Sequence, residues 1–289
     1  MRHLELFVRH DEESTAKEPS LFLLSSWMER EGGLTAGFSG RSGGVSAKPW
    51  DSLNIGLHVG DKADDVIRNR RRIAEGIGWS FDAWTCAEQV HGARVAAVTE
   101  ADRGRGRSEL QDAIAGCDAL MTNVPGVLLT SFYADCVPLY FYEPAAGVVA
   151  LAHAGWRGTA GMIAKETLLA MESAYGVNPG NVLAAIGPSI DACCYEVDGA
   201  VVTELERILG ELGLDSDAAA ACMRRKGNGK AEPSLKEINR QIMIKAGILA
   251  SHIELSNWCT GCRTDLFYSH RTEGGRTGRM ASWIGIRER

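Results

Sequence analysis

Four apolar runs crowd the middle of this chain, at residues 119–122, 127–133, 139–142 and 148–153, with Pro and Gly between them. Runs this short, bounded by turn residues, read as buried strands. Further strands are expected at 34–38, 84–89, 94–99 and 181–186, with an edge strand at 4–8 and a strand or short helix at 21–27. Apolar residues at helical spacing mark 61–78, where Gly78 is a natural stop and Arg70, Arg71 and Arg72 read as a solvated face. Helices are also expected over 158–175, 198–212 and 234–246, the last two opening on the capping residues Asp198 and Ser234. Charged, Gly-containing stretches at 101–112 and 224–232 read as loops. Strands and helices interleave, yet hairpin-like strand pairs are frequent. That favours a single α+β domain over residues 1–289, with mixed sheets, over a doubly wound one.

A chain of 289 residues with 45% hydrophobic content can bury a sizeable core without staples. Its formal net charge of -6 argues against a general nucleic-acid binder. No apolar run approaches the ~18 residues of a membrane span. The polar, charged start lacks the layout of a signal peptide, so the expected location is the cytoplasm. Eight Cys in this length do not make a disulfide scaffold. In a reducing compartment they are core thiols, ligands or nucleophiles.

Three segments carry the chemistry: Gln89-Val90-His91-Gly92, Ala134-Asp135-Cys136-Val137-Pro138 and Ala152-His153-Ala154-Gly155-Trp156-Arg157-Gly158. Each lies at the end of an expected strand, where a sheet delivers side chains to a cleft. Two His and one Cys can hold zinc with an open fourth position, which separates a catalytic site from a structural one. Each His alone reads first as an ordinary hydrogen-bonded residue, and the three strand ends together shift that reading towards a site. Gly155 to Gly158 opens an expected helix, whose free N–H groups and Arg157 suit an anion. The plainer reading packs Trp156 in the core and pairs Arg157 with a carboxylate. The turn Ser39-Gly40-Arg41-Ser42-Gly43-Gly44 can cradle an anion or simply reverse the chain at the surface. Cys259-Thr260-Gly261-Cys262 is a single CxxC with no second pair, read as structural before redox. Cys193-Cys194 is too close for an ordinary disulfide and is expected in the core.

Together these segments resemble the laccase-domain family, also called the YfiH-type polyphenol oxidase or multifunctional purine nucleoside phosphorylase family. The resemblance begins at Phe38-Ser39-Gly40-Arg41 and continues through Ser52-Leu53-Asn54-Ile55-Gly56-Leu57-His58 and the three segments above. It ends with Ile186-Gly187-Pro188-Ser189-Ile190, Cys193-Cys194-Tyr195-Glu196-Val197, the CxxC and Phe267-Tyr268-Ser269-His270-Arg271. His270 departs from the family, which often has Tyr there. The resemblance implies a mixed-sheet α/β/β/α sandwich with helices outside two sheets. It implies a zinc held by His91, Cys136 and His153, with copper the metal of an older polyphenol oxidase label. It also implies phosphorolysis of adenosine, inosine, guanosine and methylthioadenosine, and adenosine deamination. The partners are then purine nucleosides and phosphate.

Seven His and no His-x-His cannot assemble a conventional multicopper set within one subunit. A single zinc with bound water suits deamination. Phosphorolysis needs an anion pocket near the ribose C1′. Ser39, Arg41 and Arg157 are assigned to that pocket, and Asn54 and Gln89 to ribose or base. Asp135 is either a proton donor to the leaving base or a support for Cys136. A rival reading makes the chain a metal-free cysteine hydrolase or transferase, with Cys136 the nucleophile and His153 or His91 the base. A third is a non-enzymatic, zinc-stabilised partner or redox module using Cys259 and Cys262.

Overall fold

The computed structural model describes residues 5–10 and 18–288. In chain order its strands are β1 (Val8–Arg9), β2 (Leu21–Leu23), β3 (Leu34–Ser39), β4 (Trp84–Cys86), β5 (Val95–Ala97), β6 (Ala119–Thr122) and β7 (Leu128–Tyr133). They continue with β8 (Val137–Glu143), β9 (Val148–Ala154), β10 (Leu183–Ile186), β11 (Met223–Arg225), β12 (Ala231–Pro233), β13 (Ile253–Leu255) and β14 (Met280–Ile286). The α-helices are α1 (Ser25–Arg30), α2 (Ala63–Gly76), α3 (Trp156–Ala160), α4 (Ile163–Tyr175), α5 (Gly199–Leu212), α6 (Ser216–Cys222) and α7 (Leu235–Lys245).

Two six-stranded sheets result, ordered β1-β2-β3-β14-β7-β4 and β13-β10-β8-β9-β6-β5. Both are mixed: β4–β7, β5–β6 and β10–β13 run parallel among antiparallel neighbours. The apolar runs explain the layering, because a strand buried on both faces needs cover on both. Leu129, Tyr133, Tyr140, Leu151 and Ile284 pack in the seam between the sheets. Leu128, Phe132 and Trp283 turn the other way, onto Ile73 and Ala74 of α2. Ala150 and Ala152 of the second sheet pack with residues of α4, α5 and α7, such as Leu168, Ile208 and Ile242. The α/β/β/α sandwich is therefore the observed architecture.

The departures from expectation are local. β14 was not expected, yet it is central in its sheet, between β3 and β7. The expected edge strand is Val8–Arg9, and Leu4 and most of the charged stretch after it lie outside the described residues. The 21–27 segment is both things in turn, β2 and then α1. The helix expected at 158–175 divides at left-handed Met162 (φ 55°) into α3 and α4. The charged stretch 224–232 is the β11–β12 hairpin, pinned by Arg224 and Lys226 to Glu232. Arg70 is not solvated but fully buried. Its guanidinium satisfies the carbonyls of Ile55, Gly106 and Arg107 at 2.8–2.9 Å, so it staples two loops that lack ladder partners.

Candidate metal centre and cavity

The hairpin β8–β9 builds the heart of the site. Its register sets Pro138 opposite His153 and Val137 opposite Ala154, so Cys136 comes off the strand beside the imidazole. β6 lies antiparallel on the other side of β9, with Ala119 opposite Ala152. Asp118, one residue before that pair, therefore faces His153. His91 arrives from the loop after β4, and its ring lies edge-on to that of His153 at 4.9 Å. One ligand atom from each of His91, Cys136 and His153 lies within 4.8 Å of the others.

Asp118 is the keystone. Its carboxylate accepts from the backbone N–H groups of Val90 (3.1 Å), His91 (2.9 Å) and Gly92 (2.7 Å). It also takes the Nδ1 of His153 at 2.9 Å. The neutral His153 ring then donates from Nδ1 and leaves Nε2 with a free lone pair, the tautomer a metal ligand needs. The hydrogen bonds hold Asp118 below the usual carboxylate range although its burial pushes the other way. Gln89 (φ 59°), His91 (φ 61°) and Asp135 (φ 90°) occupy the left-handed region without being Gly. That strain gathers at the ligand loops, where Asp118 holds His91, Phe132 holds Gln89, and Thr260 and Arg271 hold Asp135. Gly155 is required for close approach. A Cβ there would lie 2.9 Å from Cys136 Sγ and 3.4 Å from His91 Cδ2.

The donors tune one another. Burial raises the Cys136 thiol, but the charge and hydrogen bonding of His153, then of His91, outweigh it and bring it down to about 6. Burial lowers His153, while the Cys136 charge and the Asp118 bond lift it to about 9. Without a metal the pair is a thiolate and an imidazolium at neutral pH.

The three ligands form part of the wall of a cavity of about 780 Å³, ample for a nucleoside-sized ligand. His58, Glu88, Phe132, His270 and Arg279 share the wall. Desolvation, then the charges of Arg279 and Arg70, lower His58 to about 4, so it is uncharged at neutral pH. Burial lowers Arg279, and the negative charges of Cys136 and Asp135 oppose that shift. Arg279 is anchored through Nη1 to the carbonyls of Thr277 and Gly278.

The residues assigned to substrate fall elsewhere, Gln89 excepted. Gln89 lines the cavity, but both ends of its amide bond the backbone of Phe132, at 2.8 and 3.0 Å. Ser39 is buried and accepts from Ala281 N. Asn54 is buried and holds Asp61, Gly56 and Arg279 N. Arg41 pairs with Glu273 at 3.0 Å and donates to Thr264 O. Arg157 is exposed and lies over its own neighbour Trp156, which is half-buried rather than core. Asp135 spends both oxygens on Thr260 Oγ1 (2.6 Å) and Arg271 N (2.7 Å), which makes it a support for the turn before Cys136. Cys193 and Cys194 are not in the core. They sit at and near the surface against Cys259 and Cys262, because the turn after β10 meets the turn after β13. Asp118 and Arg279 were not singled out from sequence, and His58 entered only as part of the Ser52 to His58 motif, without a role. The one local signal was an Asp abutting the apolar run of β6.

The geometry has a match among known proteins. A model of the family described as multi-copper polyphenol oxidoreductase laccase covers residues 35–287. The chain belongs to this family. It is 45% identical over 256 residues to the purine nucleoside phosphorylase YlmD of Geobacillus stearothermophilus, covering 89% of this chain and 91% of that one. It is 40% identical over 273 residues to the purine nucleoside phosphorylase YlmD of Bacillus subtilis, covering 93% and 96%. The crystal structure of the Geobacillus YlmD superposes with a TM-score of 0.89 at 41% identity, over 99% of this chain and 100% of that one. A Bacillus licheniformis structure titled hypothetical protein YfiH gives 0.86 at 38% identity, over 96% and 100%.

Proposed function

We propose that this chain is a zinc-dependent purine nucleoside phosphorylase, with adenosine deamination as a second activity of the same centre. Its substrates are adenosine, inosine, guanosine and methylthioadenosine, with phosphate as co-substrate, and its setting is the cytoplasm. The observation that carries this reading is the convergence of His91, Cys136 and His153 on the wall of a nucleoside-sized cavity. The printed names of the relatives support it.

The donor set fits the metal. His91, Cys136 and His153 would hold the ion, since one thiolate and two imidazoles are donors that suit zinc. When bound, zinc would supply Lewis-acid activation of a water, the chemistry that deamination needs. The chain's own groups do the rest. Asp118 fixes the His153 tautomer and the 90–92 loop. Arg279 offers a fixed positive charge for phosphate, or for charge that develops as phosphate bonds to C1′ and the base leaves with the electron pair. This replaces Ser39, Arg41 and Arg157 as the anion group. Uncharged His58 can hydrogen-bond ribose or base without adding charge.

The test is phosphate-dependent release of free base from inosine or adenosine, run beside metal analysis. Zinc-loaded protein that releases no base, with Cys136→Ala indistinguishable from the parent, rejects the reading. A second reading follows from the pairing itself: beside His153 the Cys136 thiol is shifted down and the imidazole up, as in a cysteine nucleophile with its base. Activity that survives chelation and dies on Cys136 alkylation selects it. Polyphenol oxidation with added copper selects neither, because His/Cys sites take up copper avidly.

A further inference from the structure

Four thiols outside the cavity gather with a geometry of their own. Cys193 and Cys194 come from the turn after β10, and Cys259 and Cys262 from the turn after β13. All four sulfurs lie within 4.8 Å of one another, and Cys262 Sγ is 3.4 Å from both Cys193 Sγ and Cys194 Sγ. A disulfide needs about 2.05 Å. Tetrahedral zinc at about 2.3 Å from each sulfur sets them about 3.8 Å apart. We propose that Cys193, Cys194, Cys259 and Cys262 form a second metal site, a structural tetrathiolate that takes one zinc ion. This goes beyond the nucleoside reading and stands without it.

The fold builds this site. β10 and β13 are parallel neighbours, so the turns leave the same end of the sheet. Ser189 bridges Cys259, and Thr260 N donates to Ser189 O at 3.1 Å. Gly261 makes room: a Cβ there would lie 2.7 Å from Cys194 Cβ and 3.0 Å from its Sγ. The CxxC can close over the vicinal pair only with a residue that has no side chain. Lys236, 2% exposed, ties both turns together. Its Nζ donates to Trp258 O at 2.7 Å and Ser256 O at 3.0 Å, and lies 3.5 Å from Asp191 Oδ2. Each thiol enters by losing its proton to solvent, and no oxidant takes part. Four sulfurs select a soft ion and leave no open position, which marks the site as structural. Sulfurs this close suit one ion rather than a multi-iron cluster.

The site also reaches the cavity. Thr260 and Arg271 hold the carboxylate of Asp135, and Ile190 N holds its carbonyl at 2.9 Å. An ion fastening the 190s turn to the 259–262 turn therefore secures the residue before Cys136.

The experiment measures zinc per chain in full-length protein prepared reduced and supplied with zinc. Two ions are expected in the parent, one in Cys136→Ala and one in Cys259→Ser/Cys262→Ser. Cobalt added to metal-free Cys136→Ala protein should give intense sulfur-to-cobalt charge-transfer bands with tetrahedral d–d bands. Chelation of that variant should lower its Tm by several degrees. The cobalt spectrum decides the matter if the double Ser variant fails to fold, since all four thiols are then native. An unchanged zinc ratio in a folded double variant overturns the proposal. So does a cobalt spectrum without thiolate bands, iron in place of zinc, or a disulfide among the four thiols in zinc-supplied protein. Because none of these readouts is turnover, failure of the phosphorylase reading leaves them intact.

Discussion

His91 reaches the triad from the loop after β4, Cys136 from the turn between β7 and β8 and His153 from β9, whereas Cys193, Cys194, Cys259 and Cys262 meet from two adjoining turns. The first group is held by a buried carboxylate and strained backbone on a cavity wall. The second is held by in-register backbone contacts and a buried ammonium near the surface. Mixed donors leave a coordination position for substrate or water, and four thiolates close it. Strain and long-range support therefore accompany the open centre, and local sequence spacing accompanies the closed one.

The largest test of that contrast removes one ligand from each. Cys136→Ala should lose the triad metal and about 1000-fold or more in kcat/KM, as several kcal/mol of metal-dependent stabilisation disappear. Cys259→Ser/Cys262→Ser should keep the triad ion and lower thermal stability first. Metal analysis, base-release kinetics and thermal melts on both proteins check this. Equal loss of activity with equal loss of triad metal would erase the distinction.

Asp118→Asn sharpens it next. The amide offers one acceptor oxygen where the carboxylate offers two, so the N–H groups of residues 90–92 cannot all keep their partner. Triad zinc affinity should fall about 10- to 100-fold, and stability should fall by about 1 kcal/mol, because the donors left without a partner are only part-buried. Competition with a chromogenic chelator reads the first and urea unfolding the second. The tetrad should keep its affinity, and a parallel loss there would show that the two centres are not independently supported.

How legible each region was follows from the same contrast. The strands β6 to β9 show in sequence because continuous apolar runs have one use in a fold this size. Cys136 and His153 show because they adjoin those runs, and His91 shows through its Gln-Val-His-Gly turn. Asp118 does not, because a carboxylate before a strand looks like any surface Asp until β6 and β9 are paired. Arg279 hides for the same reason, its cavity depending on the placement of β14. Arg70 looked solvated because helix periodicity cannot tell which polar residue a distant loop will cover. The tetrad was half visible: the CxxC stood out, but its missing pair was sought as another CxxC. The parallel pairing of β10 and β13 supplies it as Cys193-Cys194 instead.

Two glycines allow a smaller, matched test. Gly155→Ala drives a methyl at Cys136 Sγ, and Gly261→Ala drives one at Cys194. Each should cost about 1–3 kcal/mol of overpacking. Gly155→Ala should weaken triad zinc and slow base release, while Gly261→Ala should lower tetrad occupancy with the triad ion retained. Zinc release followed site by site separates them. If both substitutions disturb the same ion, the sites share one framework.

The finest test is chemical and is made on metal-free protein. Iodoacetamide alkylates thiolates, so its rate follows ionisation. Cys136 should titrate near pH 6 against an ordinary 9.0, because the charge and hydrogen bonds of His153 and His91 overcome its burial. The sign for stability follows: that contribution is complete above pH 9 and is lost as pH falls through about 6. His153 runs oppositely, its contribution complete below 6.5 and lost as pH rises through about 9. In the tetrad, burial and then the hydrogen bond to Cys262 push Cys194 up to about 12, while hydrogen bonds from Cys194 and Cys193 lower Cys262. Peptide mapping after a brief pulse at pH 7 should therefore find label on Cys136, and more on Cys262 than on Cys194. Zinc added before the pulse should protect Cys136 and Cys262 alike. A Cys136 midpoint near 9 would mean that the imidazoles do not set its charge, and the electrostatic half of the contrast would be gone.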